Sequence, residues 1–244
     1  MRALLFATTI FGLAAPATAA DMRMPVKAPP PAAVVVYNWT GFYVGVDAGY
    51  HWAKIETFIP GVAASGVSTT KPDSFTVGGH IGYRHQFGNS FVLGVEADAS
   101  WLDGDATGTF PGAPGQGFYG QTKWDASLRG ILGIAANRTL FYVTGGWSWM
   151  GIEGCGVLTP APATCVAGTA LTDKAVDGWT VGGGIAHAFT DNLIARAEFL
   201  YADYGDFSYT GAGIAGGVSN ESVSAYKARV GLSWKFGGPV IARY

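Results

Sequence analysis

One alternating run near the C-terminus constrains this chain more than any other feature. Tyr226, Ala228, Val230, Leu232, Trp234 and Phe236 occupy one parity, and Lys227, Arg229, Gly231, Ser233 and Lys235 occupy the other. Successive side chains of a strand point to opposite faces, so one face is apolar with aromatic ends and the other is charged or very small. Seven further segments alternate in the same way, about 42–52, 75–87, 91–101, 124–134, 141–149, 179–189 and 193–201. A soluble sheet buries its apolar face and wets the polar one. A membrane barrel does the reverse, with lipid outside and a polar lumen inside. The rival is a soluble eight-stranded barrel of the lipocalin sort with its apolar face inward. That fold would have to hold a ring of large aromatics inside and leave the glycines facing water. The pattern therefore predicts an all-β, eight-stranded antiparallel transmembrane barrel. Each segment is close to the ~9–11 residues that a tilted strand needs to cross a bilayer.

Connection lengths set the sidedness. The turns at 88–90, 136–139 and 190–192 are short and rich in turn residues, whereas 53–74, 102–123, 150–178 and 202–223 are long and rich in Gly, Pro and Ser. Outer-membrane barrels have short periplasmic turns and long external loops. Aromatic residues mark both rims. Trp52, Phe75, Trp101, Trp124, Trp149, Trp179, Tyr201 and Tyr226 lie at loop ends, and Phe42, Phe87, Phe91, Phe141, Phe189, Trp234 and Phe236 at turn ends. Amphipathic rings favour the headgroup zone.

The N-terminus reads as a secretory signal over 1–19. Arg2 is its basic start, Ala3 to Ala15 its apolar stretch, and Ala17-Thr18-Ala19 its small-residue cleavage site. A Pro/Ala-rich periplasmic tether follows over 20–36, and the barrel domain is assigned to 37–244. Export fits the cysteine usage. Cys155 and Cys165 share one Gly/Pro-rich segment and are expected to form a disulfide. With nine residues between them, its stabilisation is at most about 2–3 kcal/mol by loop entropy. A metal pair is the alternative, and no His or further Cys lies near enough in sequence to complete it.

Charged residues make up only 13% of the chain and the formal net charge is −2, without a basic patch, so nucleic acid is not an expected partner. The inward parity nevertheless carries Arg84, Arg129, Arg196, Lys227 and Arg229 against Asp47, Glu96, Asp98, Asp125 and Glu198. An eight-stranded barrel has an interior just wide enough for side chains. Matched charges in so narrow a lumen predict a salt-bridged plug, with a selective pore or proton path as the alternative. Glu96 and Arg129 sit at similar heights on neighbouring strands. Asp47, Glu198 and Arg229 are expected to form a second group where the seventh, eighth and first strands adjoin.

Catalysis requires a nucleophile, a base and an orienting group in one place. His51 and His80 face the lumen, while His85 and His187 lie outward near the turn rim. The nearest His–hydroxyl approaches in sequence are His187 with Thr190 and His85 with Ser90, and neither makes a serine motif. Gly211 to Gly216 matches a dinucleotide fingerprint by letters but follows no apolar strand and opens no helix, so it is read as a loop. No catalytic, cofactor or metal site is assigned.

Four stretches carry a family resemblance. They are Tyr37-Asn38-Trp39-Thr40-Gly41-Phe42-Tyr43-Val44-Gly45, Gly178-Trp179-Thr180-Val181-Gly182-Gly183-Gly184, Arg196-Ala197-Glu198-Phe199-Leu200-Tyr201, and the run from Ala228 to Gly237. Together they resemble the small porin-like outer-membrane proteins of alphaproteobacteria with an OmpA-like barrel, the major surface proteins of brucellae and rhizobia. The resemblance implies a structural or surface-antigen protein, non-enzymatic and without cofactor. Its implied partners are outer-membrane lipid, lipopolysaccharide and, during insertion, the barrel-assembly machinery. Some relatives are described as haemin binders, and no His/Tyr loop pair here carries that over. Insertion of such barrels favours a C-terminal aromatic, a place filled by Phe236 or by Tyr244. The leading expectation is a surface-exposed structural barrel supporting envelope integrity, followed by a small passive porin and by loop-mediated binding of a ligand or host partner.

Overall fold

A computed structural model describes residues 37–58, 68–71, 73–88, 90–109, 116–158, 170–210 and 218–237. The strands are β1 (Gly41–Phe58), β2 (Ser68–Thr70), β3 (Asp73–Gln86), β4 (Phe91–Thr109), β5 (Gln116–Ala136), β6 (Thr139–Leu158), β7 (Ala170–Ala188), β8 (Leu193–Thr210) and β9 (Val218–Lys235). β2 is a short return on β1 that keeps the register of β3: Ile55 faces Thr70 as Trp52 faces Asp73. The wall therefore has eight staves, β1 and β3 to β9. Each is antiparallel to its neighbours, and β1 pairs with β9 from Tyr43↔Lys235 to Phe58↔Asn220. That last pairing closes the cylinder, while toward the loop end β7 and β8 part company beyond Trp179↔Asp203.

Burial follows the parity read from the alternation. Trp101, Leu128 and Val230 are 69%, 50% and 62% exposed, while Asp47, Glu96, Arg129 and Arg229 are buried. The apolar parity thus faces outward on every stave, as lipid contact requires. The turn ends are tight. Asn137 takes a left-handed φ of 54° to join β5 to β6, a conformation that asparagine tolerates better than most residues.

The staves are longer than the alternation suggests. The stretches 53–58, 102–109, 116–123, 150–158, 170–178, 202–210 and 218–223 fall in segments expected to be loops, yet they are paired. Cys155 is one of the residues affected. It lies in β6, facing Tyr119 and Ala170, while Cys165 lies outside the described residues. The hydrogen-bonded ladder needs only backbone, so it runs on past the point where lipid stops demanding an apolar face. Register shifts fall in this zone, at Trp101/Gly104, Thr122/Trp124, Ile152/Gly154 and Asp203/Asp206. Each inserts residues that break the two-residue period.

Inward glycines answer to the lumen. A methyl group at Gly45 would run into the His80 ring and the Leu232 carbonyl oxygen, and one at Gly231 would strike Asp47 Oδ1. Outward Gly130 is different: there the nearest atom to an added methyl is the Gly145 oxygen at 3.8 Å. The inward glycines make room for large polar side chains reaching across from other staves.

Candidate functional site

The interior is stratified. At the turn end, Tyr37, Trp39, Val92, Ile131, Ala135, Leu140, Tyr142, Ala186, Ala188 and Ile194 pack as an apolar layer. Toward the loop end, Ala53, Met150, Val176, Ala202, Tyr204, Val223 and Ala225 form a second, with Ile152 packed against it. The side chains of Asp47, Glu96, Asp98, Arg129, Arg196, Glu198 and Arg229 lie between them. Tyr37 and Trp39 belong to no strand. They enter the turn-end mouth, where the Trp39 amide donates to Gln86 Oε1 (2.9 Å) and its indole N–H to the Asn137 carbonyl (3.3 Å). The Lys235 ammonium sits 4.4 Å from the Tyr37 ring centre and donates to the Asn38 carbonyl. Burial pushes the Tyr37 phenol up to about 12, against the pull of the nearby Arg84 and Arg138 charges.

All ten inward charges named from the sequence are buried. Arg129 donates to Glu198 Oε1 (2.9 Å) and Glu96 Oε1 (2.7 Å), and approaches Asp98 at 3.4 Å. Arg196 spans Glu96 Oε2 (2.6 Å) and both oxygens of Asp47 (3.0 and 2.8 Å). Arg229 donates to Glu198 Oε2 (2.7 Å) and to Asp98. The two separate groups expected from the sequence are therefore one lattice, bridged by Arg129 and Arg196. Asp47 takes its close partner from Arg196, and Arg229 stands 3.9 Å away from it. A guanidinium presents several donors in one plane, which is why arginines can each hold two carboxylates here. Arg84 lies 3.7 Å from Glu96 and stacks over Tyr43 with 4.2 Å to the ring centre. Lys227 pairs with Asp125 nearer the loop end, beside His51 and a cavity of about 10 Å³, room for roughly one water. Lys235 is a sixth buried cation, outside the five-against-five count made on the sequence.

One arrangement escaped the sequence reading. His80 Nδ1 donates to Asp47 Oδ2 (2.6 Å), since a carboxylate only accepts, and His80 Nε2 shares a hydrogen bond with Ser233 Oγ (2.7 Å). The three residues come from β1, β3 and β9, and the seam pairing Gly45↔Ser233 brings them together. By atom types this is an acid–histidine–serine row. Ser233 is 1% exposed and Asp47 is committed to Arg196, so no face is open on which a substrate carbonyl could reach the hydroxyl. The row ties β3 to β9 over the intervening β1, fastening the seam where the barrel closes. Of the His–hydroxyl pairs considered on the sequence, His187 binds Thr139 at 3.0 Å, while the Thr190 hydroxyl accepts from its own turn at the Leu193 amide.

Comparison with known proteins agrees with this geometry. The family model described as "Outer membrane protein beta-barrel domain" matches residues 5–236. The 31 kDa outer-membrane immunogenic protein of Brucella melitensis is 30% identical over 97% of this chain and 100% of its own length. The 25 kDa outer-membrane immunogenic protein of Brucella abortus is 31% identical over 95% of this chain and 92% of its own. Among solved structures, the outer membrane protein OprG of Pseudomonas aeruginosa aligns with a TM-score of 0.51 at 12% identity, covering 84% of this chain and 100% of that one, a likeness of fold. The closed wall, the outward apolar parity and these matches together show that the chain belongs to the outer membrane protein β-barrel family, in the alphaproteobacterial branch that includes the Brucella immunogenic proteins, and that its place is the Gram-negative outer membrane.

Proposed function

We propose that the protein is a surface-exposed, non-catalytic barrel that supports envelope integrity, with a lumen sealed by its charged lattice and the two apolar layers that enclose it. The observation that carries this reading is the dense cross-linking of the charges at the centre of the lumen. Arg129, Arg196 and Arg229 cross-link Asp47, Glu96, Asp98 and Glu198, all buried. Water-lined pores keep their charges hydrated, whereas ions stripped of water persist only when paired. The word "immunogenic" in the relatives' descriptions supports surface exposure of the loop end.

Planar-bilayer recording of the folded protein tests the seal. No conductance steps are expected, and steady steps at neutral pH would replace this reading with a small passive porin. In the same strain background, deletion of the gene should sensitise cells to detergent, and unaltered sensitivity would remove the envelope role.

The proposal includes a cleaved signal over 1–19 and a periplasmic tether over 20–36. It also includes insertion by the barrel-assembly machinery into lipid and lipopolysaccharide, and no nucleic-acid partner. N-terminal sequencing of the membrane-extracted protein checks the cleavage. Cys155 and Cys165 are read as a disulfide. Ready alkylation of either thiol in unreduced, unfolded protein would contradict it.

A further inference from the structure

Arg84 is a buried guanidinium with unused donors. It is 1% exposed, and its Nε, Nη1 and Nη2 all lack a hydrogen-bond partner. Glu96 is near, but at 3.7 Å it is beyond hydrogen-bond reach, and its oxygens already accept from Arg129, Arg196 and the Tyr43 hydroxyl. Aromatic rings surround the group. Its carbon lies 4.2 Å from the Tyr43 ring centre, 5.7 Å from that of Tyr142 and 5.9 Å from that of Trp39. Ring faces attract the charge but do not satisfy in-plane N–H groups. The hydroxyls of Tyr142 and Tyr37, both buried at this end, are unpartnered too. Five of the nine unpartnered buried side-chain atoms among the described residues therefore belong to the turn end of the lumen. Buried donors in folded proteins are rarely left unmet.

The charge balance points the same way. The buried cations are Arg84, Arg129, Arg196, Lys227, Arg229 and Lys235, and the buried anions are Asp47, Glu96, Asp98, Asp125 and Glu198. Setting the histidines aside, one positive charge is in excess. The Lys227–Asp125 pair lies toward the loop end, and Asp47, Glu96, Asp98 and Glu198 take their close contacts from Arg129, Arg196 and Arg229, so the net excess of one positive charge is shared by Arg84 and Lys235 at the turn end. An uncompensated buried charge is costly.

We propose that a small inorganic anion of the halide class binds at the turn end of the lumen, held by the Arg84 guanidinium and the Tyr142 and Tyr37 hydroxyls. The guest must accept hydrogen bonds and bring negative charge, and an anion does both where water does only the first. It must also be compact. The rings of Tyr43, Tyr142 and Trp39 already stand within 4.2–5.9 Å of the guanidinium carbon.

The test uses the full barrel folded in detergent in sodium bromide and crystallised. An anomalous bromide peak is expected within hydrogen-bond reach of Arg84. In solution, the chloride-35 resonance should broaden with protein and sharpen when bromide displaces chloride. Tyr142→Phe should weaken that binding about tenfold, the worth of one hydrogen bond to a charged group, and Arg84→Gln should abolish it. A well-ordered site at Arg84 without anomalous signal overturns the proposal, as does bromide found only elsewhere. Chloride broadening that both variants leave unchanged also overturns it. If Arg84→Gln does not fold, Tyr142→Phe alone decides.

Discussion

Arg129→Ala should lower the stability of the folded barrel by about 3–5 kcal/mol, the usual cost of removing one partner from a buried ion network. Arg129 donates to Glu96 and Glu198, approaches Asp98 and also binds the Ser127 hydroxyl at 2.9 Å. Its loss leaves three buried carboxylates sharing Arg196 and Arg229. Thermal unfolding in detergent, followed by the heat-dependent shift in gel mobility, reads the effect. Arg138→Ala is the control. Its pair with Asp191 is exposed on both sides, and its loss should cost at most about 1 kcal/mol. Equal melting of Arg129→Ala and wild type would mean that the lumen charges are hydrated pore lining, and the sealed-lumen reading would fall with that result.

The sequence carries some parts of this structure much more legibly than others. Lipid and lumen impose opposite chemistry on alternate residues, so the eight staves and the parity of Trp101, Leu128 and Val230 could be read from the two-residue period alone. The antiparallel order of neighbours brought Glu96 opposite Arg129, a pairing that the ladder contains directly. Other features leave no periodic trace. Ile131 and Leu140 interrupt the polar parity as apolar residues, yet they face inward, because the two ends of a closed lumen pack like any protein core. Which acid meets Arg196 depends on the shear of the barrel and on the reach of side chains across it. Neighbour counting favoured Arg229 for Asp47, and the longer crossing from Arg196 prevails. The His80–Ser233 contact joins residues 153 positions apart and depends on Gly45 having no side chain between them. Above the membrane the ladder continues without an apolar outer face, its side-chain support coming from the inward Met150–Tyr204 layer, so the polar hairpin arms resemble loops in sequence.

Trp39→Ala should cost about 3–5 kcal/mol, the range for truncating a fully buried large aromatic. Trp39 is 1% exposed, whereas the other seven tryptophans, Trp52, Trp101, Trp124, Trp147, Trp149, Trp179 and Trp234, are 37–69% exposed. It is held edge-on to Tyr37 at 5.0 Å and by two hydrogen bonds to the turn-end rim. Trp39→Phe keeps most of the bulk and loses the indole N–H bond, so about 1 kcal/mol is expected there. Melting in detergent separates the two variants, and equal melting of Trp39→Ala and wild type would show that the ring does not pack in the mouth. Conductance supplies the independent readout. Removing the indole opens only the turn-end layer, and an ion must still cross the arginine–carboxylate lattice and the Met150 layer beyond it. Trp39→Ala should therefore be less stable yet electrically closed. If it conducts, the stopper alone holds the seal and the charged lattice serves only to fasten the staves together. If it stays closed while Arg129→Ala unfolds early, the seal does not depend on the turn-end stopper and lies with the lattice and the Met150 layer beyond it.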